Sequence, residues 1–257
     1  MALSQLYIGS TDLQTIAGWM AIAFALAALI MTAYWANDSR TDLDYLGGIN
    51  WGRRTFSWHP VLMVAGAIFA TITAVVSYRT FPMSKAWQKT IHGLMHTAAV
   101  VCLAVGLAAI LSAHNYKSRN MGGAYSDNFT TIHTFLGTAV IVLYGLNYLF
   151  GMVHFLIPGI NEAIVNSYVR NHIFIGSFIL VLSLGAVETG LMLLTGSCGY
   201  DVTRPDVNPA ENYPRLSPGC LLANSIGIVV LAAVFLTLYS IFRFVVAAPD
   251  VLPLAAS

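Results

Sequence analysis

The chain has 257 residues, of which 57% are hydrophobic and only 9% are charged, with a formal net charge of +1. Soluble domains typically carry about 25% charged residues, so this composition predicts an integral membrane protein and excludes a soluble one. The small net charge and the lack of a basic run exclude nucleic acid as a partner.

Six uncharged or nearly uncharged apolar runs follow one another along the chain. Each is close to the roughly 20 residues that a helix needs to cross a bilayer core. They are residues 16–35, 60–77, 93–112, 135–153, 173–195 and 221–242. The segment before the first run has no Lys or Arg and no suitable cleavage site, so we expect a retained helix rather than a signal peptide. The fold class predicted is all-α, with one six-helix transmembrane domain over residues 1–257.

Six crossings place both termini on one face, which we call face A, and three longer loops on the opposite face, face B. The short loop after Arg79 has three cations and no acidic residue, and this favours a cytosolic face A even though face B holds more Lys and Arg in total. Face B also carries Cys198 and Cys220, which we expect to form a disulfide if that side is oxidising. Cys102 lies within a span and is expected to pack as a small apolar residue.

Each of the four central runs carries a histidine at one end: His59, His92, His133 and His172. Because successive helices alternate in direction, His59 and His133 share the face B end, and His92 and His172 share the face A end. Polar rings at membrane depth are costly and mark functional sites. A single such ring is best explained by a hydrogen bond to its surroundings, but four rings matched in depth predict two pairs of axial haem ligands. The two irons would lie roughly 20 Å apart.

A flat macrocycle needs space beside its ligands, and three glycines fall on the histidine faces. Gly137 and Gly176 follow a histidine by four residues and Gly66 by seven, offsets that return to one side of a helix. Small residues also serve helix packing in membranes. Of the remaining histidines, His96 is one turn beyond His92 and is a rival ligand, and His154 is expected at the interface.

Five segments then resemble the motifs of a known family. Residues 57–63 (SWHPVLM), 76–81 (VSYRTF) and 92–96 (HGLMH) are similar to the second- and third-helix motifs of the eukaryotic cytochrome b561 family. Residues 132–137 (IHTFLG) and 171–176 (NHIFIG) are similar to its fourth- and fifth-helix motifs.

The resemblance implies a six-helix oxidoreductase, usually a homodimer, with two haem b groups in a four-helix core at about residues 57–195. Such a protein takes electrons from cytosolic ascorbate and delivers them to monodehydroascorbate or ferric iron, in the plasma membrane or an endomembrane such as that of a vesicle, vacuole or lysosome. Carried over to this chain, it pairs His59 with His133 and His92 with His172. Two departures concern the acceptor side: Phe135 replaces a common tryptophan, and an acidic residue, Glu188, appears earlier than expected.

Candidate substrate residues lie at both faces. Ascorbate is an anion, so Lys85, Lys89 and Arg170 are candidates for its site on face A, while Arg79 is a candidate partner of a haem propionate. Routine anchoring at a membrane edge explains such cations equally well. On face B, acceptor contacts are expected from residues near the second haem: His114, Asn115, Tyr125, Arg53 and Arg54.

A proton-coupled transporter and a non-catalytic interaction protein are the alternatives to electron transfer. In a proton-coupled transporter without haem, the histidines and Glu188 would form a relay through the bundle. Helices broken in mid-membrane and inverted repeats would support that alternative, and the sequence shows neither pattern. In a non-catalytic interaction protein the histidines would be incidental.

Overall fold

The computed structural model of the protein describes residues 2–37, 55–120, 128–156, 161–195 and 218–247. Throughout these ranges the regular structure is helical. The elements in chain order are α1 (Ala2–Asn37), a 3₁₀ turn (Thr55–Ser57), α2 (Trp58–Met63), a π-helical segment (Val64–Ala70), α3 (Thr71–Thr80), α4 (Lys85–Asn120), α5 (Ile132–Leu156), α6 (Glu162–Thr195) and α7 (Pro218–Ala247).

Six helical spans within the described residues are long and apolar enough to cross a membrane. They are Leu13–Asn37, Thr55–Thr80, Lys85–Asn115, Ile132–Phe155, Ala163–Leu194 and Gly219–Phe242. Each contains or largely overlaps one of the six predicted runs, because a bilayer core fixes the length of an uninterrupted apolar helix. The all-α, multi-pass membrane fold expected from the sequence is therefore confirmed.

The first and last helices pack along each other at the side of the bundle. Their contact is lined by alanines with no exposed surface, including Ala21, Ala25 and Ala28 of α1 and Ala223 and Ala233 of α7. In a membrane, close approach of helices through small residues replaces the hydrophobic driving force that water would supply. Neither helix carries a histidine, so the four histidine-bearing spans are the other four.

The second span is irregular near its middle, where the π-helical segment lies between α2 and α3. The Thr71 N–H bonds to the Gly66 carbonyl, five residues back, and the Thr71 hydroxyl donates to the same oxygen at 2.8 Å. Such π turns occur frequently at functional sites. This one brings a threonine hydroxyl into the buried centre of the bundle.

Gly66 serves helix packing rather than a cofactor. A Cβ atom at Gly66 would stand 2.9 Å from both the Ala99 carbonyl oxygen and the Cys102 Cβ. The prediction that Gly66 makes room for a macrocycle is therefore wrong, because α4 occupies the space. The prediction for Cys102 is confirmed: it is a half-buried free thiol packed at this helix contact.

Candidate haem-ligand pairs

The four histidines at the ends of the central spans meet two by two. The ring centroids of His59 and His133 are 6.0 Å apart, and those of His92 and His172 are 6.2 Å apart. Two imidazoles on opposite sides of one metal ion have centroids about 6 Å apart, since each metal–nitrogen bond is about 2 Å and the nitrogen is about 1 Å from its ring centre. Both pairs predicted from helix direction therefore have the spacing that shared iron ligation requires.

The protonation of three of the four rings follows from their hydrogen bonds. Nδ1 of His59 lies 3.1 Å from the Gly106 carbonyl oxygen, that of His92 lies 3.0 Å from Ala74, and that of His133 lies 2.8 Å from Ala186. A carbonyl oxygen only accepts, so each Nδ1 carries the hydrogen and each Nε2 keeps its lone pair. This tautomer, held by an outer hydrogen bond, is the one that a metal-binding histidine needs.

A cavity of about 260 Å³ adjoins the pair at face B. Gly137 lies on its wall, and within the described ranges no heavy atom comes within 4 Å of where its Cβ would stand, so the space predicted beside His133 is present among these residues. Phe129, also on the wall, has a φ of 65°. That backbone conformation is strained for a bulky residue and is concentrated at functional sites. The ring spacing, tautomers and mostly apolar walls fit a porphyrin-bound iron.

Helices α5 and α6 are antiparallel, and glycines at their contact face polar side chains. Gly190 faces the His133 ring, Gly151 faces the His172 ring, and Gly176 faces the Asn147 amide. All three contacts share one register, since each step along α5 matches an equal step back along α6. A Cβ on Gly176 would stand 3.7 Å from Nδ2 of Asn147, so Gly176 packs against Asn147 and does not border the open space predicted beside His172.

His96 lies beside His92, with ring centroids 4.4 Å apart, and anchors a chain of hydrogen bonds. Its Nδ1 is 2.6 Å from the Tyr144 hydroxyl, which is 2.9 Å from the Thr71 hydroxyl. The Thr71 hydrogen is donated to a carbonyl, so Thr71 must accept from Tyr144 and Tyr144 must accept from His96. The chain therefore fixes His96 as the Nδ1–H tautomer. Sequence reasoning missed Tyr144 and Thr71, because no motif marks them.

The predicted cations of face A lie at the end of the bundle that holds His92 and His172. Lys85, Lys89 and Arg170 are exposed, and the Lys89 ammonium donates to the Phe155 carbonyl oxygen at 2.5 Å. Arg79 donates from its guanidinium to the side-chain oxygen of Gln14 on α1. A surface groove of about 440 Å³ lies nearby, where His154 stacks on Tyr168 with centroids 4.2 Å apart.

On face B, one predicted acceptor residue reaches the cavity. His114 lines it together with His59 and His133, and its Nδ1 lies 2.8 Å from Oδ1 of Asn128. Asn115 is exposed. Four other residues named in the sequence analysis lie outside the described residues: Arg53, Arg54, Tyr125 and Cys198. The predicted disulfide involves Cys198, so it lies outside the described residues as well.

Glu188 is exposed on α6 and its carboxylate lies against α7. A Cβ on Gly227 would stand 2.7 Å from Glu188 Oε2, so the glycine leaves the space that the carboxylate uses.

Comparisons with known proteins indicate the same family as the motifs. The profile described as eukaryotic cytochrome b561 matches residues 58–195. The chain is 35% identical over 188 residues to a transmembrane ascorbate-dependent reductase of Homo sapiens, covering 72% of this chain and 67% of the human protein. It is 30% identical to a lysosomal membrane ascorbate-dependent ferrireductase of Mus musculus, covering 82% and 81% of the two chains. It is 28% identical to a transmembrane ascorbate ferrireductase of Arabidopsis thaliana, covering 68% and 69%. The chain therefore belongs to the eukaryotic cytochrome b561 family.

Proposed function

We propose that this chain is a transmembrane oxidoreductase that carries electrons from ascorbate to monodehydroascorbate or ferric iron on the opposite side of the membrane. The proposal rests on one observation. His59 and His133 meet at one end of the central spans and His92 and His172 at the other, and the two rings of each pair have the spacing of two ligands to one iron. The relatives named as ascorbate-dependent reductases and ferrireductases support the donor and the reaction class.

Two haem b groups would be held, one by His59 and His133 and one by His92 and His172. Bound haem iron would supply reversible one-electron chemistry. The chain's own part is to fix the imidazoles. In three of the four, a backbone carbonyl on a neighbouring helix holds Nδ1–H and so directs Nε2 toward the shared centre. Arg79 is proposed to pair with a propionate.

Ascorbate would bind at face A, in the cytosol, where Lys85, Lys89 and Arg170 are exposed at the end of the bundle. Three cations raise the local concentration of a small anion and orient it by charge. Lys89 has one of its three hydrogens bonded to Phe155, which holds the ammonium in place and leaves two for a ligand. This face would also hold both termini.

The acceptor would bind at face B, close to the cavity of His59 and His133. His114 is proposed as a contact because it lines that cavity with its ring oriented by Asn128. Asn115 and Tyr125 are proposed with it from the sequence. The protein would work as a homodimer in the plasma membrane or an endomembrane, with its haem-binding core at about residues 57–195 in one domain of residues 1–257.

The first experiment is spectroscopic. Protein purified from haem-replete cells is expected to contain two b-type haems per chain, with a sharp low-spin spectrum, and to be reduced by ascorbate. In sealed vesicles of known orientation, ascorbate on the face A side is expected to reduce ferric chelate or monodehydroascorbate on the face B side. The ratio of the reduction rates of these two compounds identifies the acceptor. A colourless preparation would end the proposal.

Single substitutions test the pairing. His133→Ala is expected to remove the haem at face B and leave the other, and His172→Ala is expected to do the reverse. His154→Ala is the matched control, because this ring is on the same helix as His133 and stacks on Tyr168 instead of facing a second histidine. Loss of neither haem in the first two variants would contradict the assignment.

A further inference from the structure

His172 differs from the other three paired histidines in the surroundings of Nδ1. This atom is buried, yet none of the described residues forms a hydrogen bond with it. It faces Gly151 of α5, at 3.6 Å from the position that a Cβ would take there. A buried N–H without an acceptor loses its hydrogen bonds to water without replacement, so each such group in a folded protein requires an explanation.

The complementary group lies on the facing helix. Oδ1 of Asn147 is also buried, and it too has no hydrogen-bond partner among the described residues. Asn147 precedes Gly151 by four residues, so the two lie on the same face of α5, which is the face in contact with α6. Each polar side chain faces a glycine of the other helix: His172 faces Gly151 of α5, and the Asn147 amide faces Gly176 of α6, one turn beyond His172. With Nε2 as the proposed iron ligand, Nδ1 of His172 carries the hydrogen. One unpaired donor and one unpaired acceptor therefore lie at adjacent levels of the same interface.

The separation of these levels matches a bridge by one water molecule. One helical turn rises about 5.4 Å, and two hydrogen bonds of about 2.8 Å that meet at a water oxygen near the tetrahedral angle span about 4.5 Å. Two side chains one turn apart that lean toward each other are therefore within reach of one water molecule. The side chains that glycine lacks at positions 151 and 176 would otherwise fill this part of the interface. Buried waters typically bridge such otherwise unsatisfied polar groups.

We infer that Asn147 is the positioning residue of His172: one ordered water molecule accepts the Nδ1–H of His172 and donates a hydrogen to Oδ1 of Asn147. The inference rests on the proposed function, in which His172 is a haem ligand. Asn147 then does for His172 what the carbonyls of Gly106, Ala74 and Ala186 do for the other three rings. An acceptor at Nδ1 fixes the tautomer and raises the basicity of the ligand.

The consequence is measurable at one haem only. A more basic imidazole stabilises ferric iron relative to ferrous iron, so loss of the acceptor raises the midpoint potential of the haem held by His92 and His172. Asn147→Leu removes the acceptor. Redox titration and electron paramagnetic resonance of the purified variant are expected to show a raised potential and an altered low-spin signal for one haem. The other haem is expected to be unchanged.

Two further variants separate positioning from a general packing effect. Asn147→Asp has the same size and keeps an acceptor oxygen, so the midpoint potential of the haem held by His92 and His172 is expected at or below its wild-type value. This variant tests the inference even if Asn147→Leu fails to assemble. Ser177→Ala is the matched control on α6, because the Ser177 hydroxyl donates to the Ile173 carbonyl of its own helix at 2.9 Å. It is expected to leave both potentials unchanged.

Two outcomes overturn the inference: potentials and spectra of Asn147→Leu equal to those of the wild type, or a raised potential in Asn147→Asp. Either result leaves the proposed function intact, provided that the wild-type protein binds two haems and is reduced by ascorbate. Wild-type protein without haem would instead refute the proposed function before any variant is compared.

Discussion

The His133 ring lies so close to Gly190 of α6 that a Cβ atom on the glycine would stand 2.8 Å from the ring Cε1. Real Cβ atoms essentially never come that near another heavy atom, so any side chain at this position must displace the ring or separate the helices. The same ring is held by a 2.8 Å hydrogen bond to the Ala186 carbonyl. Gly190 and Ala186, one turn apart on α6, therefore fix the orientation of His133 together.

Gly190→Ala is expected to lower the haem content toward one per chain, because the displaced His133 ring no longer faces His59. Overpacking of this kind also destabilises a protein by about 1–3 kcal/mol. Pyridine haemochrome analysis of the purified protein measures the haem content. Gly145→Ala is the matched control on the neighbouring α5, since no atom of the described part of the chain lies within 4 Å of a Cβ there. Full haem content in Gly190→Ala would show that the contact does not orient the ring.

Gly66→Ala is expected to lower the free energy of unfolding by about 1–3 kcal/mol, because the new methyl group meets a backbone carbonyl of α4 that cannot turn away. Unfolding in detergent, followed by circular dichroism, checks this. Gly93→Ala, on α4 itself, places its Cβ where none of the described residues lies within 4 Å and is expected to lose no stability. A smaller loss for Gly66→Ala than for Gly93→Ala would contradict the packing role of Gly66.

Tyr144→Phe removes the hydroxyl at the centre of the chain that joins His96 to Thr71. It leaves the His96 donor without its acceptor and the Thr71 oxygen without its donor, so we expect a loss of about 1–3 kcal/mol of stability. Thr71→Val breaks the same chain from its other side. Because the two residues act in one network, the double variant is expected to lose less than the sum of the single losses. Additive losses, measured in the same detergent, would rule out a coupled chain.

Lys85→Gln and Lys89→Gln are each expected to raise the KM for ascorbate several-fold with a smaller change in kcat, because each removes an attraction for the anion before the electron is transferred. Increasing salt is also expected to lower the wild-type kcat/KM for ascorbate, because salt screens the attraction between the lysines and the anion: the Debye length falls from about 10 Å at 0.1 M to about 3 Å at 1 M. Steady-state rates in oriented vesicles measure both effects. Lys117→Gln is the control, because it removes the same charge from a residue that the sequence places on face B. An equal rise in the KM for ascorbate in this variant would argue against a site at face A.

The sequence by itself determined the class of fold and the end of its span at which each of the four paired histidines lies. A bilayer core sets the length of its helices, and alternating direction then places His59 with His133 and His92 with His172 whatever the side-chain details. Motif spacing at five segments was enough to indicate the family. These inferences succeed because they depend on periodicity and length, which are local properties of the chain.

Only the tertiary structure decided what each small or polar residue faces. Gly66 and Gly137 both lie on a histidine face, yet one meets α4 and the other meets open space. The π turn that brings the Thr71 hydroxyl to Tyr144, and the register that sets Asn147 one turn from His172, have no counterpart in a sequence pattern. Both depend on how neighbouring helices slide and rotate against each other, and many packed contacts acting together set that arrangement.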